Sequence, residues 1–476
     1  MSARWPGLTI EETRTAIDKG ELAIEEAVEM TLAALDGKGR QLNAVARLER
    51  EHAMTSAKQL AGSRKRGETV GPLFGVPLAH KDLYGRKGWL LEAGSKLMQG
   101  HRSPRTALAV AKLDAAGALD IARLNTVEFA LGTMGHNEHT GPVQNPWNTA
   151  HITGGSSSGS GAAVAAGLVP AALGSDTGGS IRLPAAACGL VGLKPTAGLV
   201  GRSGVVPLSG SLDTVGPLTR TVRDAAIVLQ AIAGPDADDS GSLDVDIPDY
   251  LAGIEGGAKG VRIGIVRKGL YDPVKPDVAA RLDAAVANLG KLGASVREVE
   301  IEGIELVNRL TALMISVEAA SLHSRWLAGN VGDYGRQTVS RLMAGLFVPG
   351  ETYLRVREHR RRFARYVLDT ALSEVDVLFA PVWPYPVPTI AETGWRAGPD
   401  YAEMVVASGH CTRPINYLGL PTVSLPCGFT DNGLPAAFQL IGRPFAEAEL
   451  LRVARAYERE QPLWRERRPS VSVWAD

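Results

Sequence analysis

Disulfide chemistry has little to work with in this chain. Cys188, Cys411 and Cys427 are the only thiols in 476 residues, and no two stand in CxxC spacing. That is too few for a disulfide framework and offers no zinc knuckle, so a reducing compartment is expected and no metal. An excess of either charge is also lacking, because 51 Lys and Arg balance 51 Asp and Glu. No overall field then draws the chain toward nucleic acid or an anionic membrane. No apolar run approaches the length of a membrane span without a charge, glycine or proline breaking it, which argues against a membrane helix. The N-terminus, Met1-Ser2-Ala3-Arg4-Trp5-Pro6, passes straight into an acidic helix without an apolar leader. With 45% apolar residues the chain can build a sizeable core, and a cytoplasmic globular protein is expected.

What the chain does have is glycine next to serine. Gly154-Gly155-Ser156-Ser157-Ser158-Gly159-Ser160-Gly161 is followed by Gly174-Ser175-Asp176-Thr177-Gly178-Gly179-Ser180-Ile181-Arg182, with small residues from Ala162 to Leu173 between. Glycines let a turn reach positive φ and aim several N–H groups at one point. A serine in such a turn combines a nucleophile with an oxyanion site, the parts that acyl transfer needs. On this reading Ser180 is the nucleophile, and the N–H groups of Thr177, Gly178, Gly179 and Ser180 form the oxyanion hole.

The run GGSSSGSGAAVAAG…GSDTGGSIRLPAAACGLVGLKPT resembles the signature of the amidase-signature family of serine amidohydrolases. The resemblance takes in Gly75-Val76-Pro77-Leu78-Ala79-His80-Lys81-Asp82 upstream. Downstream it includes Ser211-Leu212-Asp213-Thr214-Val215-Gly216-Pro217, Asn416-Tyr417-Leu418-Gly419-Leu420-Pro421 and Gln439-Leu440-Ile441-Gly442. It implies a Ser–Ser–Lys triad in which Lys81 is the base, Ser156 the bridge and Ser180 the nucleophile, with a cis peptide between Gly155 and Ser156. A solvated lysine is protonated at neutral pH and useless as a base, whereas burial in a low-dielectric site lowers its pKa. The resemblance also implies that Ser157, Asp176 and Arg182 brace this machinery from behind. Ser157 has a second possible role, capping the helix that begins at Gly159.

The coarse pattern is α/β: one large domain with a central mixed sheet flanked by helices. Residues 1–65 form a helical preface, opened by the capping box Thr9-Ile10-Glu11-Glu12 and continued from Leu22 to Leu35, and residues 66–476 form the signature domain. Helices are predicted over 105–116, after the cap Thr221-Val222-Arg223-Asp224, over 277–292, across much of 304–366 and over 445–460. Strands are predicted over 118–122, 261–266, 295–300, 375–380 and 422–425. The unit 261–300 reads as β-α-β.

Other chemistries fit less well. Gly155-Ser156-Ser157-Ser158-Gly159 formally matches the GxSxG elbow, with Ser157 attacking, but turn residues precede it where an apolar strand is required. His323, His359 or His410 would then have to act as base. The glycine run lacks the lysine of a phosphate loop, and no basic residue falls between His151 and Arg182, so no cofactor is expected. Arginines 355, 357, 360, 361, 362 and 365 fall on most sides of one helix, which favours a solvated face over a nucleic-acid stripe.

The expected partner is therefore a small-molecule amide, with no nucleic acid and no membrane; a homodimer stays open. Trp383-Pro384-Tyr385-Pro386 and the stretch 342–352 are candidate walls of the acyl pocket, which favours an apolar or aromatic amide. The alternative role that the resemblance offers is the amidase subunit of a glutamyl-tRNA amidotransferase complex. Such subunits carry an aspartate just ahead of the Asn416 segment to grip the α-amino group of glutamine. Here no acid stands between Glu403 and Asn416, which favours a stand-alone amidase.

Overall fold

The computed structural model describes residues 6–68, 71–394, 400–461, 463 and 467–475. Eight strands form a central sheet, in the order Ser295–Glu298, Arg262–Ile265, Val377–Pro381, Pro435–Ile441, Thr422–Phe429, Val191–Lys194, Thr214–Thr219 and Ala171–Asp176. The first three are parallel and every later pairing is antiparallel. This is the mixed α/β architecture expected, and residues 262–298 form the predicted parallel β-α-β unit around the helix Pro276–Lys291.

Strand alternation distributes the core. Val377 and Phe379 face a cluster completed by the helices Val222–Ile232, Pro276–Lys291 and Glu447–Glu460, whereas Leu378 and Ala380 face the helices Ile304–Leu327 and Gly350–Asp369. Each helix buries an apolar stripe on the sheet, and together they bury the sheet on both faces.

A second sheet of three strands carries the segment Pro77–Lys81. That strand runs parallel to Leu119–Leu124, which pairs antiparallel with Val45–Leu48. The first 65 residues, read as helical, thus also contribute a strand. Their capping box is present as predicted: Glu12 N–H donates to Thr9 Oγ1 at 3.1 Å and Thr9 N–H donates to Glu12 Oε2 at 2.8 Å.

The two sheets meet along the edge strand Ala171–Asp176. An unpaired edge leaves every second N–H without a ladder partner, and side chains take that place here. His80 Nδ1 accepts from Leu173 N–H at 3.3 Å, and Ser157 Oγ accepts from Ser175 N–H at 3.3 Å. The edge strand that precedes Ser180 is thereby tied both to the strand of Lys81 and to the loop of Ser156.

The strands Ala171–Asp176, Val191–Lys194, Thr214–Thr219 and Pro435–Ile441 lie outside the sequence pattern. Ala171-Ala172-Leu173-Gly174-Ser175-Asp176 holds no β-branched residue, and Pro217 sits within a strand paired on both sides. Local propensity speaks against both, and burial in the sheet overrides it.

Candidate active site

Lys81 ends its strand with a side chain shut off from solvent. Its Nζ lies 2.6 Å from Ser156 Oγ and 2.8 Å from Ser175 Oγ. Burial lowers the ammonium pKa from 10.5 to about 7, against the opposing pull of the Asp213 and Asp176 carboxylates. A substantial neutral fraction therefore exists near neutral pH. In that form the amine donates to one hydroxyl and accepts from the other.

Ser156 follows a cis peptide bond with Gly155, as the resemblance implies. The next residue holds the loop in place. Ser157 N–H donates to Ser180 O at 3.3 Å, and Ser157 Oγ donates to Ser175 O at 3.4 Å while accepting from Ser175 N–H. Ser157 makes no side-chain cap to the helix Ser158–Ala165. That helix is fully buried, and a Cβ at Gly159 would lie 2.5 Å from Ala44 O, so the backbone can approach only because Gly159 has no side chain.

Ser180 is 6% exposed, and it lines a pocket of about 360 Å³ open to solvent. Among the described residues no hydrogen bond joins Ser180 Oγ to Ser156 Oγ. Hydroxyls rotate freely, and such contacts tighten when substrate is bound. The loop before Ser180 is clamped by Asp176, whose carboxylate accepts from the N–H of Gly179 at 2.7 Å, Ile181 at 3.2 Å and Arg182 at 3.4 Å. The Gly179 N–H, expected in the oxyanion hole, is instead engaged by this carboxylate. Among the described residues no acceptor takes the N–H of Thr177, Gly178 or Ser180.

Asp176 and Arg182 form a fully buried ion pair at 3.0 Å. Burial acts to raise the Asp176 carboxyl, but Arg182 and Asn416 outweigh it and hold the group well below the usual carboxylate range. The remaining donors of Arg182 reach Gln439 Oε1 at 2.8 Å, Thr412 O at 3.1 Å and Asn416 Oδ1 at 2.6 Å. Asn416 in turn donates to Asp176 Oδ1 at 2.8 Å. Three segments, around 176–182, 412–416 and 439, meet in this carboxylate–guanidinium cluster, and every polar atom named is satisfied.

Several residues stand elsewhere than expected. Trp383 packs in a core cluster with Nε1–H donating to Leu183 O at 2.9 Å, so it is core packing and does not line the Ser180 pocket. In the 342–352 stretch Leu342 is buried in another cluster, and it is the preceding Arg341 that lines the pocket. His80 stays clear of the Lys81 hydroxyl pair, and burial pushes its pKa down to about 4. His323, His359 and His410 pair with Tyr334 OH, Tyr417 OH and Gly269 O, which leaves the elbow reading of Ser157 without a base. Cys188 is a buried thiol in the core. In the arginine-rich helix, Arg355, Arg362 and Arg365 pair with Glu351, Glu358 and Asp369 on an exposed face, while Arg360 turns inward to Tyr417 O. Ser175 is a site residue that sequence reasoning misses. Its only local signal is a hydroxyl next to Asp176, and nothing nearby in the chain says that Lys81 will reach it.

Among the described residues, no group of three His, Cys, Asp or Glu side chains is placed to hold a metal, and no helix is long and apolar enough to cross a membrane. A family model described as Amidase matches residues 26–451. The chain belongs to this family. It is an amidohydrolase of the amidase-signature kind. Over 98% of its length it is similar, at 37% identity, to 98% of a glutamyl-tRNA(Gln) amidotransferase subunit from Chloroflexus aggregans. Among solved structures it resembles a vestigial protein complex that reveals the evolutionary origins of an s-triazine catabolic enzyme. That match has a TM-score of 0.89 and 33% identity, covering 96% of this chain and 99% of the other. A bacterial aryl acylamidase of the amidase-signature family matches with a TM-score of 0.88 and 26% identity, over 96% and 97%.

Proposed function

We propose that this chain hydrolyses a carboxylic amide through an acyl-enzyme on Ser180. The observation that carries the reading is Lys81, a buried amine of lowered basicity held between two serine hydroxyls. In its neutral form Lys81 accepts the proton of Ser156, which accepts that of Ser180 as its Oγ attacks the carbonyl carbon. The N–H groups of Thr177, Gly178 and Ser180 are the donors available to the oxyanion. A single donor of this kind is worth about 3 kcal/mol in the transition state. The proton then returns along the same relay to the departing nitrogen, and water releases the acid. Ser175 holds Nζ in line and gives the amine a second partner. The test is labelling with a fluorophosphonate: it modifies Ser180, and Lys81→Ala removes both labelling and amide turnover. Label on Ser157 would sink the relay and restore the elbow.

A second reading concerns the setting of that reaction. The absence of an acid between Glu403 and Asn416 favours a stand-alone enzyme. Full-length likeness at 37% identity to one chain of an amidotransferase supports a role within a complex better. On that reading the released ammonia passes to a partner chain. Glutamine hydrolysis at rates matching the best amide tested would support it; no turnover of glutamine would favour the separate enzyme.

A further inference from the structure

The pocket before Ser180 holds three arginines, Arg309, Arg341 and Arg413, and no acid among the described residues that line it. Arg413 is held by carbonyl and amide oxygens. Its Nη1 donates to Val406 O at 2.9 Å and to Asn308 Oδ1 at 3.4 Å, and its Nη2 donates to Val405 O at 3.3 Å. These acceptors are neutral, and among the described residues no carboxylate pairs with the guanidinium. The Asn308 amide is itself oriented: its Nδ2–H donates to His410 Nδ1, whose Nε2–H is spent on Gly269 O.

The backbone around this arm is bare where it must be. A Cβ at Gly409 would lie 2.5 Å from Arg413 Cζ, and one at Gly178 would lie 3.2 Å from Arg413 Cγ. The arm therefore passes over Gly178, beside the N–H groups proposed to hold the oxyanion, and fills the space that a side chain at 409 would need. Burial lowers Arg413 to about 10, and the charge of Arg341 adds to the effect. A cation removed from water without a counter-charge is costly, and an arriving anion relieves that cost. Leu131, Ala312 and Ile315 also line the pocket that Arg413 and Ser180 share, and such apolar walls suit a short run of methylenes.

We infer that Arg413 receives a carboxylate on the acyl half of the substrate, so that the substrate class is a short ω-carboxy amide without an ammonium group. The inference rests on the reading of Ser180 as nucleophile. It replaces the apolar or aromatic acyl group expected from Trp383. It also sets glutamine at a disadvantage, because its α-ammonium would enter a pocket that offers cations and, among the described residues, no acid.

Turnover of glutaramate, succinamate, butyramide and glutamine by the whole protein tests this, together with protection of Ser180 from a fluorophosphonate by glutarate or butyrate. A charge-assisted hydrogen bond of this kind predicts kcat/KM for the better carboxy amide on the order of 100-fold above butyramide, with glutamine below glutaramate. Glutarate should protect Ser180 and butyrate should not, and Arg413→Gln should abolish both the protection and the preference. Equal turnover of butyramide, faster turnover of glutamine than of glutaramate, or labelling that glutarate leaves unchanged would overturn the inference while leaving Ser180 as nucleophile. Failure of Ser180 to label at all, with no amide hydrolysed, would overturn the underlying reading as well. Should Arg413→Gln fail to fold, the wild-type substrate ratio and the protection experiment decide alone.

Discussion

Lys81 Nζ stands 2.6 Å from Ser156 Oγ, and both side chains are shut off from solvent. Lys81 ends a strand of the three-stranded sheet and Ser156 lies in the loop ahead of the helix Ser158–Ala165, brought together where the strand Pro77–Lys81 runs beside the edge strand Ala171–Asp176. The contact joins an amine that water would keep protonated to the hydroxyl it is proposed to deprotonate. Burial of the amine is what makes the pair chemically useful, and five consequences can be measured.

Lys81→Ala should lower kcat on the best amide found by about 10²–10⁴-fold, the range for loss of a general base. Circular dichroism should match the wild type. Retained turnover would remove Lys81 from the proposed mechanism.

The pH dependence follows from the same amine. Activity requires the neutral form, so kcat/KM should rise with pH through an acid limb with a midpoint at about 7. Burial sets that position, and the Asp213 and Asp176 charges oppose it by favouring the ammonium. A profile with no acid limb near this value would contradict the assignment.

Stability should carry the same signature. The folded pKa of Lys81 lies below its unfolded value of 10.5, so between about 7 and 10.5 the unfolded chain binds more protons. The contribution of Lys81 to stability must then rise with pH across that window, by up to about 1.4 kcal/mol per pH unit. Below the window it is a constant penalty. Denaturation of the wild type and Lys81→Met at several pH values measures the difference; a gap that stays flat would show the amine to be solvated.

Arg182→Ala leaves Asp176 buried and without its cation. Removal of one partner from such a pair costs about 3–5 kcal/mol. Asp176 also holds the Gly179 N–H, so loss of stability should be accompanied by loss of Ser180 labelling. Urea titration and fluorophosphonate labelling read the two effects separately.

Gly179→Ala tests the loop directly. Gly179 has φ of +126°, and a Cβ there would lie 2.4 Å from Thr412 Oγ1, itself bonded to Gly178 O at 2.7 Å. The loop must shift, and a displacement of that order at a reacting group costs about 10²-fold in rate. Activity near the wild-type level would show that the loop geometry is not what positions Ser180.

Much of this is legible in the residues. The family resemblance points to Lys81, Ser156 and Ser180 and implies that Asp176 and Arg182 brace them, although not that the two pair with each other. The strands 171–176 and 214–219 are not legible, because alanine, glycine and proline write no β pattern and only the sheet supplies one. Ser175 escapes for a related reason, since its role depends on which strand becomes its neighbour. Trp383 misleads because an aromatic at a strand end suits a pocket wall and a core equally well; which it becomes is set by the carbonyl of Leu183, 200 residues away in the chain.

Local order alone determined the reactive groups and the turns that hold them: two glycine bends bearing serines, a lysine closing an apolar strand, and caps that start helices where the side chains can accept. Only the tertiary arrangement decided how those groups behave. The lowered basicity of Lys81 and the desolvation of Arg413 arise from burial, and burial sums contacts from segments far apart in the chain that no short stretch of sequence contains.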